Sequence, residues 1–178
     1  MEKIASESPV IVTFYKKKGL RFQCRRCSGC CRHNPGFVFL SEKDIRDLVE
    51  ITELSIGNFF RLYLRIVNIG AFYRVSLREK ANYDCIFWEA GGCRVYPKRP
   101  LQCRSFPFWN SLLASEAIWR EQTKSCPGIG AGLIHDFAEI ESWRTERIAE
   151  RLIEIVPDNG IVSEEKIIGL LSQRIKTA

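Results

Sequence analysis

Four cysteines within one octet, Cys24, Cys27, Cys30 and Cys31, constrain this chain more than any other feature. Their C-x-x-C-x-x-C-C spacing places a thiol at every third residue. A tight loop with that spacing can turn its sulfurs toward one point, as a soft cation or an iron–sulfur cluster requires. Four more cysteines, Cys85, Cys93, Cys103 and Cys126, lie in later segments at intervals too wide for one loop. Eight sulfurs could fill two four-coordinate sites, or one cluster with spares. Neighbours such as Cys30 and Cys31 usually point apart along a chain, so at least one site is expected to draw ligands from both groups.

At 178 residues the chain fits one domain, 1–178, with a core large enough to fold without disulfides. Hydrophobic residues make up 46% and charged residues 27%. Those are ordinary values, so the cysteine excess is specific. No window approaches the ~20 apolar residues of a membrane-spanning helix. Met1 to Val12 carries Glu2 and Glu7 and no long apolar run after a basic start, so no secretion signal is expected there. The expectation is a soluble, cytoplasmic protein with no membrane partner. In a reducing compartment, clustered cysteines serve as metal ligands or redox groups more often than as disulfides.

The formal net charge is +6, and eight thiolates would bring it to −2 before any metal is counted. Much of the basic excess can therefore balance a metal–thiolate core. Arg25, Arg26, Arg32, Arg94, Lys98, Arg99 and Arg104 all lie within a few positions of a cysteine, where they could lower thiol pKa values. This weakens a nucleic-acid reading of the basic pI, although a zinc-dependent nucleic-acid module remains an alternative.

No repeat, low-complexity tract or Gly/Ser linker interrupts the chain. Val10–Tyr15 reads as a strand and Arg21–Cys24 as a short one leading into the cysteine loop. Ser41 before Glu42-Lys43-Asp44 predicts a capped helix through Glu50, and Thr52–Arg65 a second helix. Tyr73–Leu77 alternates as a strand does. Cys85–Trp88, Gly91-Gly92 and Cys93–Tyr96 predict a hairpin with a cysteine on each arm. Pro100 suits the first turn of a short helix bearing Cys103. Ser111–Gln122 is ambiguous, Ile134–Ile155 has helical spacing, and Ser163 caps a last helix through Ile175. The fold class predicted is α+β: a single compact domain with a central cysteine-rich strand and loop region and C-terminal helices.

Structural zinc sites often use two C-x-x-C-like pairs, and the dispersed cysteines contain none. C-x-x-C-x-x-C with a distant Cys-Pro is a 4Fe-4S arrangement, and Cys126-Pro127 supplies that element. An iron–sulfur cluster is thus placed ahead of zinc, with zinc close behind, because thiolate donors alone do not choose between them. His33 could replace a sulfur or simply lie exposed in the loop, and His135 suits a surface or capping role. Gly128-Ile129-Gly130-Ala131-Gly132 fits a turn around a metal at least as well as a nucleotide cradle. Nucleotide-binding glycine motifs and hydrolase signatures are absent.

These residues together resemble the YkgJ-like cysteine-cluster family of zinc- or iron-chelating domains. The resemblance is carried by Phe22-Gln23-Cys24 through Cys30-Cys31, Cys85-Ile86-Phe87, Gly92-Cys93-Arg94-Val95-Tyr96, Arg99-Pro100-Leu101-Gln102-Cys103-Arg104-Ser105-Phe106-Pro107-Phe108 and Cys126-Pro127-Gly128. It implies a metal-binding core over 22–130, with all eight cysteines as ligands, and a C-terminal helical extension over 133–178. Similar domains occur in flagellin lysine methylases. That relation implies, as an alternative, a cluster-dependent modification of a protein substrate using S-adenosylmethionine, though the chain has no methyltransferase glycine motif. Arg99, Arg104, Phe106, Phe108 and Trp109 could cover the centre, or the aromatic residues could simply pack a core.

Overall fold

In the computed structural model, residues 13–157 and 162–176 are described. Met1–Val12, with the expected absence of a secretion signal, lies outside them. Among the described residues, no helix is long and apolar enough to cross a membrane.

The chain is mixed α+β, and its described residues form helices and three small antiparallel sheets arranged around two apolar cores. Ser41 starts α1 (Glu42–Thr52) with a reciprocal cap: its hydroxyl accepts from the Asp44 amide while the Asp44 carboxylate accepts from the Ser41 amide. Glu53, in a left-handed conformation (φ 54°), ends that helix. Ser55 then caps α2 (Ile56–Tyr63). Strands β2 (Leu64–Asn68) and β3 (Tyr73–Leu77) pair antiparallel from Leu64↔Leu77 to Asn68↔Tyr73. Ile45, Leu48, Phe59, Leu64 and Val75 form the centre of the first core, each shielded from solvent.

The second core grows from β1 (Leu20–Phe22), which pairs antiparallel with β6 (Ile129–His135). Tyr15, Phe108, Trp119, Ile129 and Ile140 fill it. The C-terminal elements contribute to both cores. Helix α5 (Phe137–Ala149), capped by Asp136, brings Ile140 to the second. Strand β7 (Glu154–Ile155) extends the β2–β3 sheet, and α6 (Glu164–Lys176) sets Ile167 and Leu171 into the first.

Several boundaries differ from the sequence expectations. Val10–Val12 fall outside the described residues, and Phe14 and Tyr15 belong to a turn closed by Gly19 N–H donating to Tyr15 O (2.9 Å). The expected helix over Thr52–Arg65 is cut at both ends: Thr52 finishes α1, and Leu64-Arg65 begin β2, where β-branched Ile66 and Val67 find a partner strand. Ile134–Ile155 likewise divides into the end of β6, then α5, then β7. The ambiguous Ser111–Gln122 contains α4 (Glu116–Gln122), capped by Ser115. Gly128 belongs to the turn after Cys126, closed by Ile129 N–H donating to Cys126 O (3.1 Å), and Ile129–Gly132 begin strand β6.

Candidate metal centre

Backbone pairing brings the two cysteine groups together. β1 leads into the octet, and its partner β6 begins just after Cys126-Pro127. Past the β1–β6 ladder, Gln23 N–H donates to Gly128 O (3.1 Å), holding the start of the octet beside the Cys126 turn. At the far end of the octet, Gly29–Cys31 forms a 3-10 turn, and Cys85 N–H donates to Cys31 O (2.8 Å). Cys85 precedes the ladder of β4 (Trp88–Glu89) and β5 (Gly92–Cys93), in which Trp88 pairs with Cys93. The predicted hairpin is present but shorter than expected. Cys103 rides on α3 (Leu101–Arg104), with Pro100 at its cap position. Leu101 N–H donates to Asp44 Oδ1 (2.9 Å), so the α1 cap also fixes the helix that carries Cys103.

Six of the eight sulfur-bearing residues, Cys24, Cys30, Cys31, Cys85, Cys93 and Cys103, line one cavity of about 520 Å³ between the two cores. Cys27 and Cys126 stand to its side, and Cys126 lies within electrostatic reach of Cys27 and Cys30. All eight are free thiols. Among the described residues, no three His, Cys, Asp or Glu side chains already stand in metal-holding geometry. The thiols surround a shared space and are not closed on a point.

Cys30 and Cys31 meet side chain to side chain, contrary to the expectation that they point apart. A 3-10 turn separates successive residues by about 120°, where an extended chain separates them by about 180°. Cys31 Sγ donates its one hydrogen to Ser28 O (3.3 Å). Contact with that thiol lowers Cys30 to about 7, with Arg99 adding to the effect, while the same contact and burial raise Cys31. Burial pushes Cys85 up to about 11 against a hydrogen bond from the Phe87 amide. Burial, then repulsion from Cys85, Cys30 and Cys93, raises Cys103. Cys31, Cys85 and Cys103 thus resist ionisation, and a cation among them would reverse that balance.

Of the basic residues near cysteines in sequence, Arg26, Arg32, Arg99 and Arg104 reach the cavity wall. Arg94 donates to Tyr63 Oη instead (2.7 Å), and Lys98 pairs with Glu50 (3.1 Å). Arg99 faces Cys30 and Cys93 and stacks on Tyr96 at 3.9 Å. Arg32 stacks on Trp88 at 3.7 Å and pairs with the buried Asp84 at 3.2 Å. Burial would raise the Asp84 carboxyl, but hydrogen bonds from Arg32 and Asn82 hold it below the usual carboxylate range. Phe106 and Trp109 line the cavity as expected, whereas Phe108 packs into the second core.

His33 is exposed and is not part of the wall. His135 sits in β6, where Nε2 donates to Phe22 O (3.0 Å) and Nδ1 meets Glu139 (2.7 Å). Sequence reasoning missed Asp44, Trp88, Tyr96 and Lys80, the last of which acts on Cys85. The capping-box spacing of Ser41 and Asp44, and the family string that ends at Tyr96, were the signals for any of them.

The donor chemistry fits zinc or iron. The wall offers soft thiols, and its one carboxylate, Glu79, is already occupied by Arg65 (3.0 Å) and the Gly36 amide (2.7 Å). Fold and site together define an α+β cysteine-cluster protein. It belongs to the CxxCxxCC family, described as a proposed zinc- or iron-chelating domain, whose model matches residues 23–127 and so takes in all eight cysteines. No solved structure matches the chain.

Proposed function

We propose that this is a metal-binding protein whose cysteines act as two adjoining four-thiolate groups, Cys24, Cys27, Cys30 and Cys126 in one, and Cys31, Cys85, Cys93 and Cys103 in the other. Support comes from the two backbone seams that flank the octet, Gln23–Gly128 on one side and Cys31–Cys85 on the other. Each seam brings one end of the octet to a different set of later cysteines. Cys30 stands at the junction, within reach of both.

The first group carries the C-x-x-C-x-x-C and Cys-Pro pattern of a 4Fe-4S site, and the second is a four-sulfur set suited to zinc or iron. Bound metal would supply folding free energy to loops with little regular structure and, if it is iron–sulfur, an electron-transfer centre. Arg99 offsets thiolate charge, while Phe106, Trp109 and Phe87 limit water at the sulfurs. Three cysteines of the octet, Cys24, Cys27 and Cys30, are exposed, so the reading carries with it a reducing, cytoplasmic setting.

Metal analysis and absorption spectroscopy of anaerobically purified protein test the reading, together with Cys126→Ser and Cys85→Ser. Each substitution is expected to remove part of the metal and leave the rest. A folded protein with no zinc or iron overturns the proposal, and loss of all metal in both variants overturns the division into two groups.

A further inference from the structure

The cavity extends beyond its sulfurs. The cavity holds about 520 Å³, within the range of about 300–1,000 Å³ typical of small-molecule sites. Part of its wall carries no sulfur. There the segment before α1, the end of β3 and the loop leading to β4 contribute Phe37, Arg78, Tyr83 and Trp88.

The polar groups of this wall are unevenly satisfied. Arg99 faces sulfurs, Arg32 is held by Asp84, and Glu79 by Arg65. Arg26 and Arg78 are exposed on the wall and, among the described residues, pair with no carboxylate; Arg26 stacks on Tyr96 at 4.5 Å. Trp88 Nε1 is buried without an acceptor. The spare groups are therefore donors, two of them cationic, set among aromatic rings.

We propose that this cavity takes a small organic anion beside the cysteines: an aromatic or otherwise planar group bearing a carboxylate or a phosphate. Arg26 and Arg78 would bind the charged end, since a guanidinium presents paired N–H donors in the geometry of those anions. Tyr83 would cover the planar part beside the edge of Trp88, whose face Arg32 already covers, and Trp88 Nε1 would gain its missing acceptor. The inference rests on the metal-binding reading only in that the same cysteines form the opposite wall.

The test is titration of the full chain, purified anaerobically with its metal, with benzoate and with phenyl phosphate, followed by tryptophan fluorescence and thermal shift. Neutral benzamide is the comparison, and metal content is measured for every sample. At least one of the two anions is expected to bind about tenfold or more tighter than benzamide, because a charged hydrogen bond contributes about 1.5–3 kcal/mol. Combining Arg26→Gln with Arg78→Gln should remove that preference at unchanged metal content. Trp88→Phe should weaken the anion several-fold, and the distant Arg120→Gln should leave it unchanged. Equal binding of anion and benzamide, no binding of either anion, or an anion affinity indifferent to the double substitution would overturn the inference. Anion binding by protein isolated without metal would count against the metal-binding reading alone.

Discussion

Gly128 stands where two segments approach closely. A Cβ there would lie 2.5 Å from Gln23 O and 3.1 Å from the Phe22 ring, whereas one at Gly36 would meet nothing within 4 Å. Gly128→Ala is expected to destabilise by about 2 kcal/mol, lowering the unfolding temperature by roughly 4–8 °C. Gly36→Ala should stay close to the parent in the same thermal melt. Glu150, at the end of α5, offers a second residue-level test. Burial and the facing Asp44 carboxylate push it up to about 7, against the opposing charge of Arg147. The folded chain therefore holds this proton at pH values where the unfolded chain has released it. Its contribution to stability is complete below the ordinary glutamate range and is lost as pH rises through 7. Glu150→Gln, which cannot ionise, is expected to flatten that part of the stability-versus-pH curve measured by denaturant titration.

Among the elements, α1 does more than pack. Its Ser41–Asp44 cap closes the first turn, and the second oxygen of Asp44 accepts from Leu101 at the start of α3. Ser41→Ala removes one capping acceptor and is expected to cost about 1 kcal/mol. Asp44→Ala removes the reciprocal cap and leaves the buried Leu101 amide without its partner, so it should cost about 2 kcal/mol or more. Only the second change reaches Cys103. It should lower metal content as well as the unfolding midpoint, while Ser41→Ala lowers the midpoint alone; metal analysis beside chemical denaturation distinguishes the two.

At the scale of the whole molecule, the cysteine-lined cavity lies between the two apolar cores and is built from loops that connect them. The octet itself has only one 3-10 turn of regular structure, and Arg25 and Arg26 within it are exposed. Its order is therefore expected to depend on what the thiols hold. Removing metal with a chelator should speed tryptic cleavage at Arg25 or Arg26, detected by mass spectrometry, while α1 and α6, packed into the first core, remain protected. Cleavage at the same rate with and without metal would show that the loop is held by the β1–β6 seam alone.

The mixed α+β class, the capped helix at Ser41 and the cysteine-cluster family were legible in the chain, because each is written in local spacing. Caps depend on residues three apart, and the octet shows its pattern within eight residues. The strand role of the segment 129–132, the early end of α2 and the division of Ile134–Ile155 were not, since a strand exists only when a distant partner completes its hydrogen bonds. Tertiary structure alone decided which end of the octet meets which later cysteines, that Cys30 and Cys31 turn toward each other, and that Asp44 steadies the helix bearing Cys103. These outcomes depend on contacts between residues far apart in sequence. Local spacing carries no record of such contacts until the two cores form.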